Sequence, residues 1–507
     1  MKALISVSDK TGIVDFSRNL LSLGYDIIST GGTGEYLSNN GITVTDVSKI
    51  TKFPEFLDGR VKTLNPIIHG GILAKRENNS HINQLIEFGI DQIDLVVNNL
   101  YPFQDTIKNE NISLEDILEN IDIGGPAMTR AAAKNFKNVL VIVDPKDYQN
   151  IINAHSNDQI DFKFRKSLAS KAFRHVSFYD TLIADYLANE NEKHIFSKQK
   201  TNAWELVNIP RYGENPHQSS AVYKLPNEEG GIVNSTKLHG IDMSYLNYFD
   251  ADAAWVSCNI FEENCVSIIK HGNPCGLSIN NNQTEAYLEA LSGDPVSAFG
   301  GIVGFNSILT EETAKKMEGQ FIDVIVAPSY EKLALEILRK RKKTRVIQVS
   351  KNKISNLMIR SVTGGFLLQE FDQYNDFSEN WEVVTKNKPN FEIMEDLKFA
   401  WKVSGLIRSN AIVVAKDKTL IGMGAGQPNR LNSIRLATNS KLENFYHGSV
   451  LASDAFFPFP DNLIEANKKG IKFYIQPGGS IRDKEIINVA NELNMIMVFT
   501  HRRHFLH

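Results

Sequence analysis

Apolar and polar positions set the order of elements in the first 50 residues. Residues 3–7 (Ala-Leu-Ile-Ser-Val) predict a strand, 11–23 an amphipathic helix and 25–29 a second strand. A helix from Glu35 and a third strand over 42–47 follow. Strands alternating with helices of this length imply a parallel sheet with helices on its faces. Apolar runs at 94–98 and 139–143 predict two further strands. The helix between them carries Arg130 and Lys134 four apart on one face. Helical patterning continues to about Glu190. The stretch 189–201 is polar and nearly without core residues, so a boundary is expected there, with domains at 1–195 and 200–507.

In the second half, the run Cys265-Val266-Ser267-Ile268-Ile269 reads as a buried strand. Gly272, Asn273 and Pro274 are expected to turn the chain, leaving Lys270 and His271 where the strand gives way to a loop. Two similar α/β passages are expected, about 200–370 and 390–507, parted by the polar stretch 371–390, with no clear residue-level repeat between them. The basic run Arg339–Arg345 reads as the solvated end of a helix beginning near Tyr330, where cations suit the negative end of the helix dipole.

Composition narrows the class. With 507 residues the chain is too long for one core. It is 42% hydrophobic and 22% charged, with no apolar span of about 20 residues, so no transmembrane helix is expected. The N-terminus enters a strand pattern directly, without the apolar core of a signal peptide. Cys258, Cys265 and Cys275 form no CxxC pair, which argues for a reducing compartment and against a disulfide framework. A net charge of -4 gives no basic field for nucleic acid.

Two strand-to-helix turns, Ser6–Gly12 and Ser29–Gly34, combine hydroxyls or glycines with a helix N-terminus on one sheet edge, and the first adds Lys10. That combination suits a phosphorylated small molecule. Neither turn is a Walker A loop or GxGxxG, so a triphosphate or dinucleotide is not indicated. The loop 58–66 adds Arg60, Lys62 and Thr63. At Lys270-His271, an ammonium could stabilise an oxyanion and favour a neutral imidazole base. A solvated lysine beside a capping histidine is the plainer alternative.

The motifs SVSDKTG, GRVKTLNP, NLYPF, DIGGPAMTRAAAKN, RYGENPHQ, KHGNPCG, GMGAGQPNR, FFPFPD and RHF occur in that order from Ser6 to the C-terminus. In this they closely resemble the bifunctional family that joins aminoimidazole-carboxamide ribotide (AICAR) formyltransferase to inosine-monophosphate (IMP) cyclohydrolase. The resemblance implies an N-terminal methylglyoxal-synthase-like parallel-sheet domain that closes the purine ring. It also implies a duplicated cytidine-deaminase-like α/β half that transfers formyl from 10-formyltetrahydrofolate, with no metal required. A cytoplasmic homodimer with transferase sites at the interface is implied too, with no nucleic-acid or membrane partner.

By the same resemblance, Lys270, His271 and Asn410 surround the formyl carbon. Arg211, Tyr212, His217, Asn247, Arg430 and Arg503 hold the ribotide, and Phe299, Asp323 and Asp461 contact folate. In the first domain Lys62, Tyr101, Asp122 and Lys134 match the cyclohydrolase's reactive groups. Ser6, Lys10, Gly32, Thr33, Arg60 and Thr63 match its nucleotide contacts. Asp122, between two lysines, is expected to stay ionised and act as a base. Thr30 stands where relatives often have serine, and Leu506 breaks a more basic terminal pattern.

Two rival readings fit fewer of these residues. A zinc deaminase needs H-x-E and then P-C-x-x-C, whereas Gly272-Asn273 follows His271 and Pro274-Cys275 lacks the second cysteine. A non-catalytic ribonucleotide-binding regulator would explain the phosphate turns but not Lys62, Asp122, Lys270 and His271 together.

Overall fold

The computed structural model describes residues 1–54, 57, 60–108, 111–188, 196–226, 228–351, 357–374, 378–440 and 444–507. They cluster into two compact units, Met1–Trp204 and Glu205–His507. Most of the expected boundary (189–195), together with Asp58 and Gly59 of the basic loop, lies outside the described residues. No helix among the described residues is long and apolar enough to cross a membrane.

The first unit is a five-stranded parallel sheet of β1 (Lys2–Val7), β2 (Asp26–Ser29), β3 (Thr45–Asp46), β4 (Leu95–Asn99) and β5 (Leu140–Ile142). Its order is β3-β2-β1-β4-β5. Leu4, Ile5, Val96 and Ile142 are fully buried along it, which gives these short strands their apolar runs. Connections run outward from β1 in one direction and from β4 in the other. A crevice therefore opens between the carboxyl ends of β1 and β4, where open α/β sheets bind ligands.

Two expectations shift here. The second helix begins at Gly31, not Glu35, so the glycines form its first turn. The strand expected over 42–47 is only Thr45–Asp46. Asp46 accepts a hydrogen bond from the Ser48 amide (2.7 Å) and caps a helix, Val47–Thr51, that ends the strand.

The second unit is built on a twelve-stranded sheet. In its first half a helix (Tyr245–Asn259) leads into an antiparallel hairpin (Cys265–Lys270 with Asn273–Ile279). Three parallel strands follow, Gly301–Phe305, Ile322–Ala327 and Arg345–Gln348. In its second half a helix (Phe391–Ser404) leads into a hairpin (Ile412–Lys416 with Thr419–Gly424). Val450–Ser453, Phe473–Gln476 and Ile496–Phe499 then repeat the parallel trio. The hairpins join antiparallel at Ser278 opposite Thr419. One buried cluster, including Ile269, Leu277, Val413 and Leu420, spans both halves on one face. Separate clusters serve each half on the other face.

A residue-level repeat does exist, contrary to expectation. Positions 146 apart match across the halves: Asp250 and Asp396, Ala254 and Ala400, Trp255 and Trp401, Asn264 and Asn410, Lys270 and Lys416, Gly276 and Gly422. Some keep their contacts as well as their identity. A Cβ on Gly276 would lie 2.0 Å from the Ala290 carbonyl oxygen, and one on Gly422 would lie 2.1 Å from that of Ala437. Only glycine fits where the helix after each hairpin, Gln283–Gly293 or Arg430–Ala437, packs against it.

The basic run is also corrected. The helix Lys332–Leu338 stops at its start. Arg341 donates to the carbonyls of Gln320 (2.7 Å) and Met317. Arg345 enters a strand, buried, and pairs with Asp323 at 2.8 Å. Arg341 and Arg345 thus hold the fold, while Arg339, Lys340, Lys342 and Lys343 are exposed as expected.

Candidate functional site

The crevice of the first unit is a cleft of about 650 Å³. It gathers Ser6, Lys10, Gly32, Thr33, Arg60, Lys62, Thr63, Tyr101 and Asp122, sequence-predicted residues drawn from five separate stretches. Each is placed by the sheet or by a side chain packed behind it. Thr33 Oγ1 accepts from the Val7 amide (3.1 Å) and donates to the Val7 carbonyl (3.0 Å), tying the second turn to the end of β1. The hydroxyls of Ser6 and Thr30 lie 3.1 Å apart. Arg60 pairs with Glu119, also in the cleft wall.

Asn99 ends β4 and was missed by sequence reasoning. Its Oδ1 accepts from the amides of Ser8 (2.6 Å) and Asp9 (2.9 Å), and its Nδ2 donates to the Asp9 carbonyl (2.9 Å). One side chain thus satisfies three backbone groups of the first turn. The available signal was a polar Asn98-Asn99 pair closing a fully buried strand.

Asp122 sits just before the helix Gly124–Lys134. Its Oδ1 accepts from the Gly125 amide (2.8 Å), and its own amide donates to the Tyr179 hydroxyl (2.8 Å). A Cβ on Gly125 would come within 2.2 Å of Asp122 Oδ2, so only glycine lets the carboxylate rest against this helix start. Burial pushes the Asp122 carboxyl above the usual carboxylate range, against the opposing pull of the Gly125 amide. Tyr179 comes from the long helix Phe162–Leu187, and nothing in its sequence neighbourhood marks it.

Lys134 is not brought into this cleft. It closes the far end of the helix and lines a separate hollow with His69, Arg130, Lys166 and Phe173. Of the two expected lysines only Lys62 shares the cleft with Asp122, a half-buried carboxyl whose pKa burial raises.

In the second unit, Lys270 and Asn273 pair across a two-residue turn, so Asn273 and Pro274 belong to the next strand and not to a loop. The turn is His271-Gly272, with φ of 52° and 72°. Tight hairpins need positive φ at both positions, and histidine is among the residues that tolerate it. Asp250 accepts from the Gly272 amide (2.7 Å) beneath the turn, and burial raises its carboxyl's pKa. His271 is exposed at the tip. Lys270 Nζ donates to the carbonyls of Phe299 (2.9 Å) and Gly300 (3.2 Å), which unites two sequence-predicted residues.

Asn247 and Asp323 also meet, at 2.9 Å. Asn247 is only 5% exposed and closes the capping box of its helix, while Asp323 also pairs with Arg345. Both serve the fold as they stand. Asn410 Nδ2 donates to the Gln427 carbonyl (2.8 Å). Arg430 pairs with fully buried Asp454 (3.0 Å), which also takes the Ser409 hydroxyl. Arg211 and His217 are exposed and Tyr212 is half-buried, on a loop closed by the Gly213 amide and the Gln218 carbonyl (2.7 Å). Asp461 begins the helix Asp461–Asn467, Phe299 is 63% exposed, and Arg503 lies over the Phe505 ring at 4.7 Å. Among the described residues no group of three or more His, Cys, Asp or Glu stands together as metal ligands.

The chain thus combines a parallel-sheet unit, with a polar cleft at its switch point, and a duplicated α/β unit. A family model described as "AICARFT/IMPCHase bienzyme" matches residues 132–440, and one described as "MGS-like domain" matches residues 12–127. The chain belongs to the AICARFT/IMPCHase bienzyme family. It is 47% identical over 512 residues to the bifunctional purine biosynthesis protein PurH of Caldicellulosiruptor bescii, covering 100% of this chain and 99% of that one. It is 48% identical over 521 residues to the PurH of Persephonella marina and 46% over 510 to that of Bacillus cereus (strain AH187), each with the same coverage. The chain is thus an AICAR formyltransferase and IMP cyclohydrolase of purine biosynthesis, and its transferase activity takes a folate cosubstrate.

Proposed function

We propose that the second unit moves the formyl group of 10-formyltetrahydrofolate to the 5-amino group of AICAR at the His271 turn. The first unit then closes the formylated product to IMP in the β1/β4 crevice. The observation that carries the second assignment is the gathering of hydroxyls, lysines and a half-buried carboxyl at the sheet's switch point.

The 5-amino group is a feeble nucleophile because its lone pair is delocalised. Orientation against the formyl carbon therefore supplies much of the rate, and effective molarity can contribute about 7 kcal/mol or more. His271 takes the amine proton as the C–N bond forms. Lys270 and Asn410 offset the charge on the tetrahedral oxygen until the folate nitrogen leaves with a proton. Arg211, Tyr212, His217, Asn247, Arg430 and Arg503 are assigned to the ribotide, and Phe299, Asp323 and Asp461 to the folate. No metal enters the scheme.

In the crevice, the carboxamide nitrogen attacks the formamide carbon and yields one proton to the carbonyl oxygen, which then departs as water with a second proton given up by the formamide nitrogen. Lys62 stabilises that oxygen while Tyr101 and Asp122 move the protons. The raised pKa of Asp122 suits it to both taking and returning a proton. Ser6, Lys10, Gly32, Thr33, Arg60 and Thr63 hold the ribotide phosphate and sugar. Lys134 is assigned a supporting role from the opposite helix end.

The working form is assigned as a cytoplasmic homodimer whose exposed transferase residues are completed by the partner. Two separate assays test the scheme: tetrahydrofolate release from AICAR and 10-formyltetrahydrofolate, and IMP formation from supplied formyl-AICAR. His271→Ala should abolish the first and spare the second. Loss of both together, or of neither, overturns the division of labour.

A further inference from the structure

Asn410, Arg430 and Arg503 lie on three separate segments of the larger unit, and Asp454 touches all three segments. It follows the strand Val450–Ser453 and is fully buried. Its Oδ1 takes an N–H of Arg430 (3.0 Å), whose side chain is only 10% exposed. Its Oδ2 takes the hydroxyl of Ser409, one residue before Asn410. Its carbonyl accepts from the amide of His504 (3.0 Å), one residue after Arg503. The Ser409 amide in turn donates to the Leu506 carbonyl (2.8 Å), which ties two of these segments to each other. A buried carboxylate is costly unless an opposite charge and hydrogen bonds offset it, and Arg430 and Ser409 supply both.

The duplication shows what the scaffold alone requires at this position. Ile412 pairs with Ser453 as Val266, its match in the first half, pairs with Phe305, so Asn306 is the counterpart of Asp454. The backbone contact is the same in both halves. The Asp454 amide donates to the Ala411 carbonyl (3.3 Å), and the Asn306 amide to that of Cys265 (3.4 Å). Asn306 is also buried. Its Oδ1 accepts from the Cys265 amide (2.9 Å), and its Nδ2 donates to the carbonyls of Phe261 (3.1 Å) and Glu263 (2.7 Å). Glu263 matches Ser409, so both side chains clasp the same stretch before the hairpin. A neutral amide does this in the first half. The second half has a carboxylate there, with the Arg430 guanidinium as the partner that calls for the charge.

We propose that Asp454 is a positioning residue for formyl transfer. Its charge aims Arg430 at the ribotide, and its other contacts keep Asn410 and Arg503 in register with that guanidinium. The inference rests on the assignment of Asn410, Arg430 and Arg503 to this reaction. The two side-chain contacts act on different constants. The bond to Arg430 sets how well an anionic ribotide is held, so it governs KM for AICAR. The bond to Ser409 fixes the backbone from which Asn410 reaches the tetrahedral oxygen, so it governs kcat.

The test is steady-state formyl transfer by the full-length protein, with AICAR varied at saturating 10-formyltetrahydrofolate. Asp454→Asn keeps an oxygen for the Ser409 hydroxyl and loses the charge opposite Arg430. It should raise KM for AICAR about tenfold or more and lower kcat by less. Ser409→Ala should lower kcat about fivefold with KM for AICAR nearly unchanged. Arg430→Met should raise the same KM. Asp454→Asn added to it should raise that KM little further, because the carboxylate acts through the guanidinium. A raised KM in Arg430→Met with none in Asp454→Asn overturns the proposal, as do effects of the two that multiply in full. An unchanged kcat in Ser409→Ala overturns it too. An unchanged KM in Arg430→Met removes the ribotide assignment itself, and the proposal with it. Cyclisation of supplied formyl-AICAR should be unchanged throughout, while urea unfolding reports on the larger unit. Asn306 shows that an amide suits this place in the fold. A double variant, Asp454→Asn with Arg430→Met, that will not fold therefore also overturns the proposal.

Discussion

Lys416 makes in one half of the larger unit the contact that Lys270 makes in the other. Each reaches from the last position of a hairpin strand to backbone carbonyl oxygen in the segment before the next parallel strand. Lys416 donates to His447 (3.1 Å), and Lys270 to Phe299 (2.9 Å) and Gly300 (3.2 Å). The contact is therefore architectural in both halves, and the chemistry proposed for Lys270 is an addition to it. Lys416→Ala should leave formyl transfer near wild type. Lys270→Ala should lower its kcat about a hundredfold, the scale of losing one oxyanion stabiliser. Equal losses in both variants would make Lys270 a clamp and nothing more.

His271 is where the halves differ, with Asp417 at the matching position. Asparagine also tolerates positive φ, so His271→Asn removes the imidazole but keeps the turn. Stability should stay within about 0.5 kcal/mol in urea unfolding. The kcat for formyl transfer should fall by about 10²–10⁴, with little change in ribotide affinity. A large stability loss with kinetics to match would assign the histidine to the fold.

Asp122 gives a pH prediction. Its pKa is raised by burial, so at a given acidic pH a smaller fraction is ionised than for a free aspartate. The acid limb of cyclisation should lie above the ordinary carboxylate range and disappear in Asp122→Asn, along with most activity. A group with a raised folded-state pKa contributes stability that is full below its unfolded pKa and lost as pH rises through the folded one. Asp122→Asn should therefore gain on wild type as pH rises through that window, measured by unfolding across the series. A pH-independent difference would count against a perturbed carboxyl.

Asn99 holds the first strand-to-helix turn of the cleft by three hydrogen bonds. Asn99→Ala leaves three partly buried backbone groups unsatisfied, at about 1–3 kcal/mol for each group that water cannot reach. The expected signature is a higher KM for formyl-AICAR, a smaller fall in kcat, and unchanged formyl transfer. A kcat loss at constant KM would place Asn99 in the chemistry instead.

The order of strands and helices was legible because strands buried on both faces write themselves as apolar runs, as at 95–97 and 265–269. The cleft was legible where glycines and hydroxyls cluster in one stretch, as at Gly32 and Thr33. What could not be read depended on partners distant in sequence. Nothing near Arg345 announces Asp323, and nothing near Tyr179 announces Asp122. Lys134 was misplaced because a shared motif says nothing about which end of a helix faces a crevice. The repeat escaped notice because its identities are sparse and become visible only once the two hairpin turns are matched.

The hairpin tips in the larger unit are held from below by Asp250 and Asp396, through backbone amides alone. The side chains at the tips are thus excused from keeping the loop in shape, and could diverge after an ancestral gene doubled without endangering either copy. On the same underpinning one tip carries a histidine and the other an aspartate.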